Sequence, residues 1–126
     1  MIGTPYYLAP EVVEQRPYSL PADIWSLGVI LYEMMALKKP FTGGSMEMLA
    51  LKIARGVYPE APNNYGYGLR GLLKKMLVVD PTHRITIEKV LKLKEFASVI
   101  RNHSQHGEDD ITHSMLLNKV GRDGLE

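Results

Sequence analysis

An all-α domain is what this sequence predicts, on three observations. The run Ile24 to Ala36 sends apolar side chains in nearly every direction around a helix axis, the pattern of a helix in the middle of a domain. Leu69, Leu72, Leu73, Met76 and Leu77 recur at i, i+3, i+4, i+7 and i+8, the stripe of a helix with one buried face. Ser19, Ser45 and Thr86 stand where helices start, and Gly56 where one stops.

In chain order, residues 1–18 are rich in proline and tyrosine, and Pro5, Pro10 and Pro17 break any long helix. Pro10 to Val13 can make one short turn with Pro10 at its first position. Ser19 to Met35 predicts the first full helix, with Ser19 as cap, Pro21 in the first turn and Asp23 where the helix dipole favours an acid. Lys38 to Gly44 reads as a loop. Met46 to Arg55 predicts a second helix, capped by Ser45 and closed by Gly56. Val57 to Gly68 is irregular. The Leu69–Leu77 stripe is the third helix, and Asp80-Pro81 ends it. Thr86 caps a fourth, expected to run to about Ile100. From Asn102 onward polar residues lead to a short apolar patch, Met115 to Leu117, expected to be mobile or weakly ordered. The expected division is a domain at 1–100 and a tail at 101–126.

With 126 residues, 45% apolar and 23% charged, the chain has the composition of one modest globular domain. Lysine and arginine number 15 against 14 acids, so no strong field argues for nucleic acid or for an anionic membrane. The apolar run Ile24 to Ala36 is interrupted by Ser26, Gly28 and Glu33 and is too short to cross a bilayer. No cysteine is present, which excludes disulfides, thiolate nucleophiles and zinc-thiolate sites. The first residues, Met1 to Tyr6, have neither the basic nor the apolar region of a secretory signal, and the expected compartment is the cytoplasm, with the nucleus as alternative.

Three motifs carry a resemblance. Gly3-Thr4-Pro5-Tyr6-Tyr7-Leu8-Ala9-Pro10-Glu11 resembles the G-T-P-x-Y-x-A-P-E that ends the activation segment of protein kinases. Asp23-Ile24-Trp25-Ser26-Leu27-Gly28 resembles the D-x-W-S-x-G that starts the central kinase helix. Asp80-Pro81-Thr82-His83-Arg84 resembles the D-P-x-x-R before the last one. Their order and spacing cover roughly residues 3–96. The wording Pro5 to Leu8 and Gly44 to Ile53 is most similar to the NIMA-related serine/threonine kinases. The implied fold is a partial C-terminal kinase lobe: the end of the activation segment plus the last four large helices around a central apolar helix.

By the residues alone, Glu11 and Arg84 could be two solvated charges. The resemblance implies a buried ion pair tying the activation segment to the helical base, a pairing that suits a bidentate carboxylate–guanidinium contact. Asp23 reads as a helix-opening acid, and the resemblance adds a role as anchor for the catalytic-loop backbone. Trp25 and Gly28 read as packing residues. Thr4 either caps a turn or, as the resemblance implies, helps select and orient the hydroxyl acceptor. The resemblance makes Pro5, Tyr6, Tyr7 and Leu8 the wall of the pocket for the substrate residue after that acceptor.

Gly66 to Gly71 spells G-x-G-x-x-G, but neither a preceding strand nor a following V-A-I-K strand is there, and the glycines read as a flexible lead-in to the third helix. His103 and His106 with Glu108 and Asp109 read as a solvated linker, so neither a cofactor nor a metal is expected on this chain. Kinase chemistry needs a phosphate-binding lysine, a catalytic aspartate and magnesium ligands, and neither H-R-D-x-x-x-x-N nor D-F-G occurs in the sequence. The expectation is therefore a fragment of a serine/threonine kinase whose complete form uses ATP and magnesium on protein or peptide substrates, inactive as it stands. The alternative is a non-catalytic docking module that takes partners through residues 43–55. A third expectation is marginal folding, since the all-round apolar helix lacks cover on one side.

Overall fold

The computed structural model describes residues 5–93. A compact unit closes at Val90, and Leu91 to Leu93 come after it. Thr4, the tail and the boundary expected at residue 100 lie outside the described residues, as do His103 and His106. Among the described residues the secondary structure is entirely helical. A 3-10 turn at Pro5–Tyr7 precedes α1 (Pro10–Val13), α2 (Leu20–Ala36), α3 (Met46–Arg55), α4 (Tyr67–Met76) and α5 (Ile87–Leu91).

Local chemistry accounts for most of these bounds. Pro10 opens α1, where its missing N–H costs nothing. Ser45 accepts the Met48 N–H at 3.2 Å and starts α3. Gly56, at φ +64°, stops it by donating its N–H to the carbonyls of Lys52 and Ile53. A Cβ on Gly56 would also stand 2.3 Å from Val79. Ser19 occupies the cap position of α2, but its side chain makes no capping bond there; the Ser19 carbonyl accepts the Ala22 N–H instead. Leu37 closes α2 in the left-handed region, at φ 58°, without being glycine.

α2 is the centre of the unit. Trp25, Val29 and Tyr32 on it are fully buried, together with Phe41, Ile53 and Leu73 from the loop, α3 and α4. Trp25 stacks on Phe41 at 5.6 Å between ring centroids and 12° between planes. Gly28 lets α4 come close: a Cβ there would sit 2.9 Å from Leu77 and 3.0 Å from Met76. α1 packs on α3, and the 3-10 turn meets both α2 and α3.

Two expectations need correction. The lack of cover on one side of α2 is not one of them: Leu20, Leu27, Ile30 and Met34 are exposed among the described residues, while the opposite side is buried. α4 ends at Met76 rather than running toward Asp80: the Lys75 carbonyl, which a further turn would use, accepts the Ile85 N–H, and Arg84 holds the carbonyls of Val78 and Val79. α5 is capped by Thr86 as its sequence suggests (Lys89 N–H to the hydroxyl, 3.3 Å) but ends at Leu91. It buries no residue, and residues 94–100, into which it was expected to run, lie outside the described residues.

Candidate functional site

Residues 5–11 form a short path fastened to α2 through Tyr7 and to Arg84 through Glu11. Pro5 is buried, and its carbonyl accepts the Leu8 N–H at 3.2 Å, which shapes the turn. Tyr6, Tyr7 and Leu8 are half-buried. The Ser26 hydroxyl on α2 donates to the Tyr7 carbonyl at 2.6 Å. The Tyr7 hydroxyl in turn donates to the Glu33 carboxylate, 2.9 and 3.0 Å from its two oxygens. Ser26 and Glu33 are seven residues apart, two helical turns, and therefore lie on one side of α2. Lys39 completes the arrangement, with Nζ 3.9 Å from Glu33 and 5.1 Å from the centre of the Tyr6 ring. The bonds to Glu33, with burial and the carboxylate charge added, push the Tyr7 phenol above its ordinary value, so it remains a donor at neutral pH.

The far end of the path is held by Arg84. Its Nη1 donates to Glu11 Oε2 at 2.8 Å and its Nη2 to Glu11 Oε1 at 2.9 Å, a bidentate pair. The other three N–H groups reach the carbonyls of Pro21 (2.7 Å), Val78 (2.8 Å) and Val79 (3.1 Å). All five guanidinium donors are thus engaged. The guanidinium also lies 5.2 Å from the centre of the Trp25 ring. Glu11 and Arg84 are each only 4% exposed. Burial by itself raises the Glu11 carboxyl, but the bonds and charge of Arg84, with a local backbone bond, outweigh it and hold the group below the usual carboxylate range. Removing either partner would strand a buried charge, at about 3–5 kcal/mol.

The remaining sequence candidates fall as follows. Asp23 is exposed and accepts a hydrogen bond from the Tyr18 hydroxyl. Trp25 is core packing, and its indole N–H has no hydrogen-bond partner among the described residues. Gly28 is the close-approach point of α2 and α4. Gly66 is the cap residue of α4, and Gly68 and Gly71 lie inside that helix, so the G-x-G-x-x-G spelling is a helix start. In the 43–55 segment, Met46, Met48 and Leu51 expose apolar side chains. Sequence reasoning missed Ser26, Glu33 and Lys39. The signal was available: a serine and a glutamate seven apart in an otherwise apolar helix call for a polar partner on that side.

Residues 1–96 match the protein kinase domain. The chain is 51% identical over 83 residues to serine/threonine-protein kinase Nek3 of Mus musculus, covering 66% of this chain and 16% of that protein. It is 44% identical over 91 residues to serine/threonine-protein kinase Nek1 of Mus musculus, covering 72% and 8% respectively. Against serine/threonine-protein kinase Nek5 of Homo sapiens the identity is 41% over 91 residues, 72% of this chain and 13% of that one. The chain spans from 8% to 22% of the length of the curated relatives it matches. With its matched span, its helical fold and its NIMA-related relatives all agreeing, the chain belongs to the protein kinase family.

Proposed function

We propose that this chain supplies the substrate-positioning segment and part of the helical base of a serine/threonine protein kinase, whose complete form moves the γ-phosphate of ATP to protein hydroxyls. The observation that carries the reading is the fastening of residues 5–11 at both ends: Tyr7 to Ser26 and Glu33, Glu11 to Arg84. Such a segment offers a fixed surface along which a substrate chain can lie, and orientation of that kind is a large part of phosphoryl-transfer catalysis. Thr4 next to it would orient the acceptor hydroxyl.

ATP and magnesium belong to the chemistry of the family. The described residues do not fit a magnesium cage: Glu11 is committed to Arg84, Glu33 to Tyr7, and Asp80 to Thr82 and His83. No three potential ligands converge among them. In this reading nucleotide and metal are held by groups other than the described residues, and the 126-residue chain alone is inactive.

A chimera tests the reading. Residues 1–96 replace the matching segment of mouse Nek3, and phosphate transfer to a protein substrate is measured. Transfer to serine or threonine should persist, and Tyr7→Phe should lower kcat/KM several-fold, mainly through KM. A folded chimera without transfer overturns the proposal. A second reading, docking without chemistry, is favoured by the exposed Met46, Met48 and Leu51 of α3. It predicts that Met46→Gln with Met48→Gln abolishes partner binding by the 126-residue chain, and that the folded chimera shows no transfer.

A further inference from the structure

A cleft of about 690 Å³ opens where the chain leaves α2 and where α3 ends. Lys38, Lys52 and Arg55 line it, together with the apolar Val57 and Pro59 and the ring of Tyr58, and no carboxylate is among its lining residues. Lys39 lines it too, but is committed to Glu33 and Tyr6. Lys38, Lys52 and Arg55 make no ion pair among the described residues. The whole chain carries a net charge of only +1, so this is a local concentration of positive charge.

Helix-end electrostatics explain cations in the last turn of α3, where they complement the partial negative charge of the carbonyl end. They do not explain three cations that make no ion pair among the described residues and surround one apolar cleft. Tyr58 gives that cleft a rigid lining: its ring is wedged edge-on against Tyr32 (5.6 Å, 82°) and Phe41 (5.8 Å, 79°), both fully buried. A pre-formed apolar surface ringed by cations fits a ligand that is apolar at its centre and anionic at its flanks.

We infer that this cleft docks an acidic peptide of a partner protein, one in which carboxylates flank an apolar or aromatic residue. Charge complementarity sets the sign of the partner. Nucleic acid fits less well, because tracking a phosphate backbone takes an extended basic surface and the acids and bases of this chain nearly balance. The inference gives the docking reading of α3 a partner chemistry and rests on that reading only in using the same helix. It shares no residue with the path from Pro5 to Glu11 or with Arg84, so failure of the chimera leaves it standing, and its own failure leaves phosphate transfer untouched.

Fluorescence anisotropy with the 126-residue chain and a labelled Asp-Glu-Phe-Glu-Asp peptide tests it, with Lys-Arg-Phe-Arg-Lys and a single-stranded oligonucleotide as comparators. The acidic peptide should bind saturably and the basic one should not. Lys52→Glu with Arg55→Glu should weaken binding about tenfold or more. Lys38→Glu, outside any helix, should weaken it in the same direction with the circular dichroism unchanged, which separates charge from folding. Raising the salt should weaken it as well. Absence of saturable binding, equal affinity for the charge-reversed variants, or tighter binding of the oligonucleotide would each overturn the inference.

Discussion

The two faces of α2 are built from the same kinds of side chain and meet opposite surroundings. On one face Trp25, Val29 and Tyr32 are completely buried under the loop, α3 and α4. On the other, Leu27, Ile30 and Met34 are 49%, 43% and 63% exposed. Apolarity belongs to the side chain, whereas burial belongs to the pair of surfaces that meet. The exposed residues continue to Leu37 in steps of three, four and three, the spacing at which one helix lies along another. Ser26 and Glu33 add polar hooks to a third side and hold Tyr7 there.

The largest expected effect separates the two faces directly. Trp25→Ala removes the ring that stacks on Phe41 and lies beside Arg84, and should cost about 3–5 kcal/mol in urea unfolding. A loss under about 1 kcal/mol would mean that the buried face is not the core. Acid should act next, through the buried Glu11–Arg84 pair and in the same direction through Asp80, which the hydrogen bonds of Thr82 and His83 also hold below its ordinary value. The folded-state value of Glu11 lies below its ordinary one, so its contribution is fully present above the usual carboxylate range and is lost as pH falls through the lowered value. Melting temperature followed downward in pH should therefore fall, and Glu11→Gln should start lower and show a shallower fall. The smallest effect belongs to the open face. Leu27→Gln with Met34→Gln should change stability by no more than about 0.5 kcal/mol each while reducing self-association in light scattering. A larger loss would show that this face has a partner in solution.

Much of this arrangement was legible in the residues. Ser45 and Gly56 bound α3 as written, and Pro10 opens α1, because caps and proline act within a few residues of themselves. The bidentate contact of Glu11 with Arg84 was reachable only through the motif resemblance, since nothing local links two charges so far apart in the chain. Three features were not legible. An open face on α2 was expected, but periodicity cannot say which side of an all-apolar helix finds cover. The end of α4 at Met76 depends on bonds from Arg84 and Ile85. The end of α5 at Leu91 is marked by no stop signal in the residues around it, and a good cap fixes only where a helix begins.

Arg84 gathers three stretches of chain at one planar group: the end of the path from Pro5 to Glu11, the first turn of α2 and the strip following α4. With every donor engaged, none of these stretches can fray on its own without orphaning a charged hydrogen bond in a dry place. They are compelled to leave the native state as one cooperative block, so a single side chain converts three local equilibria into one.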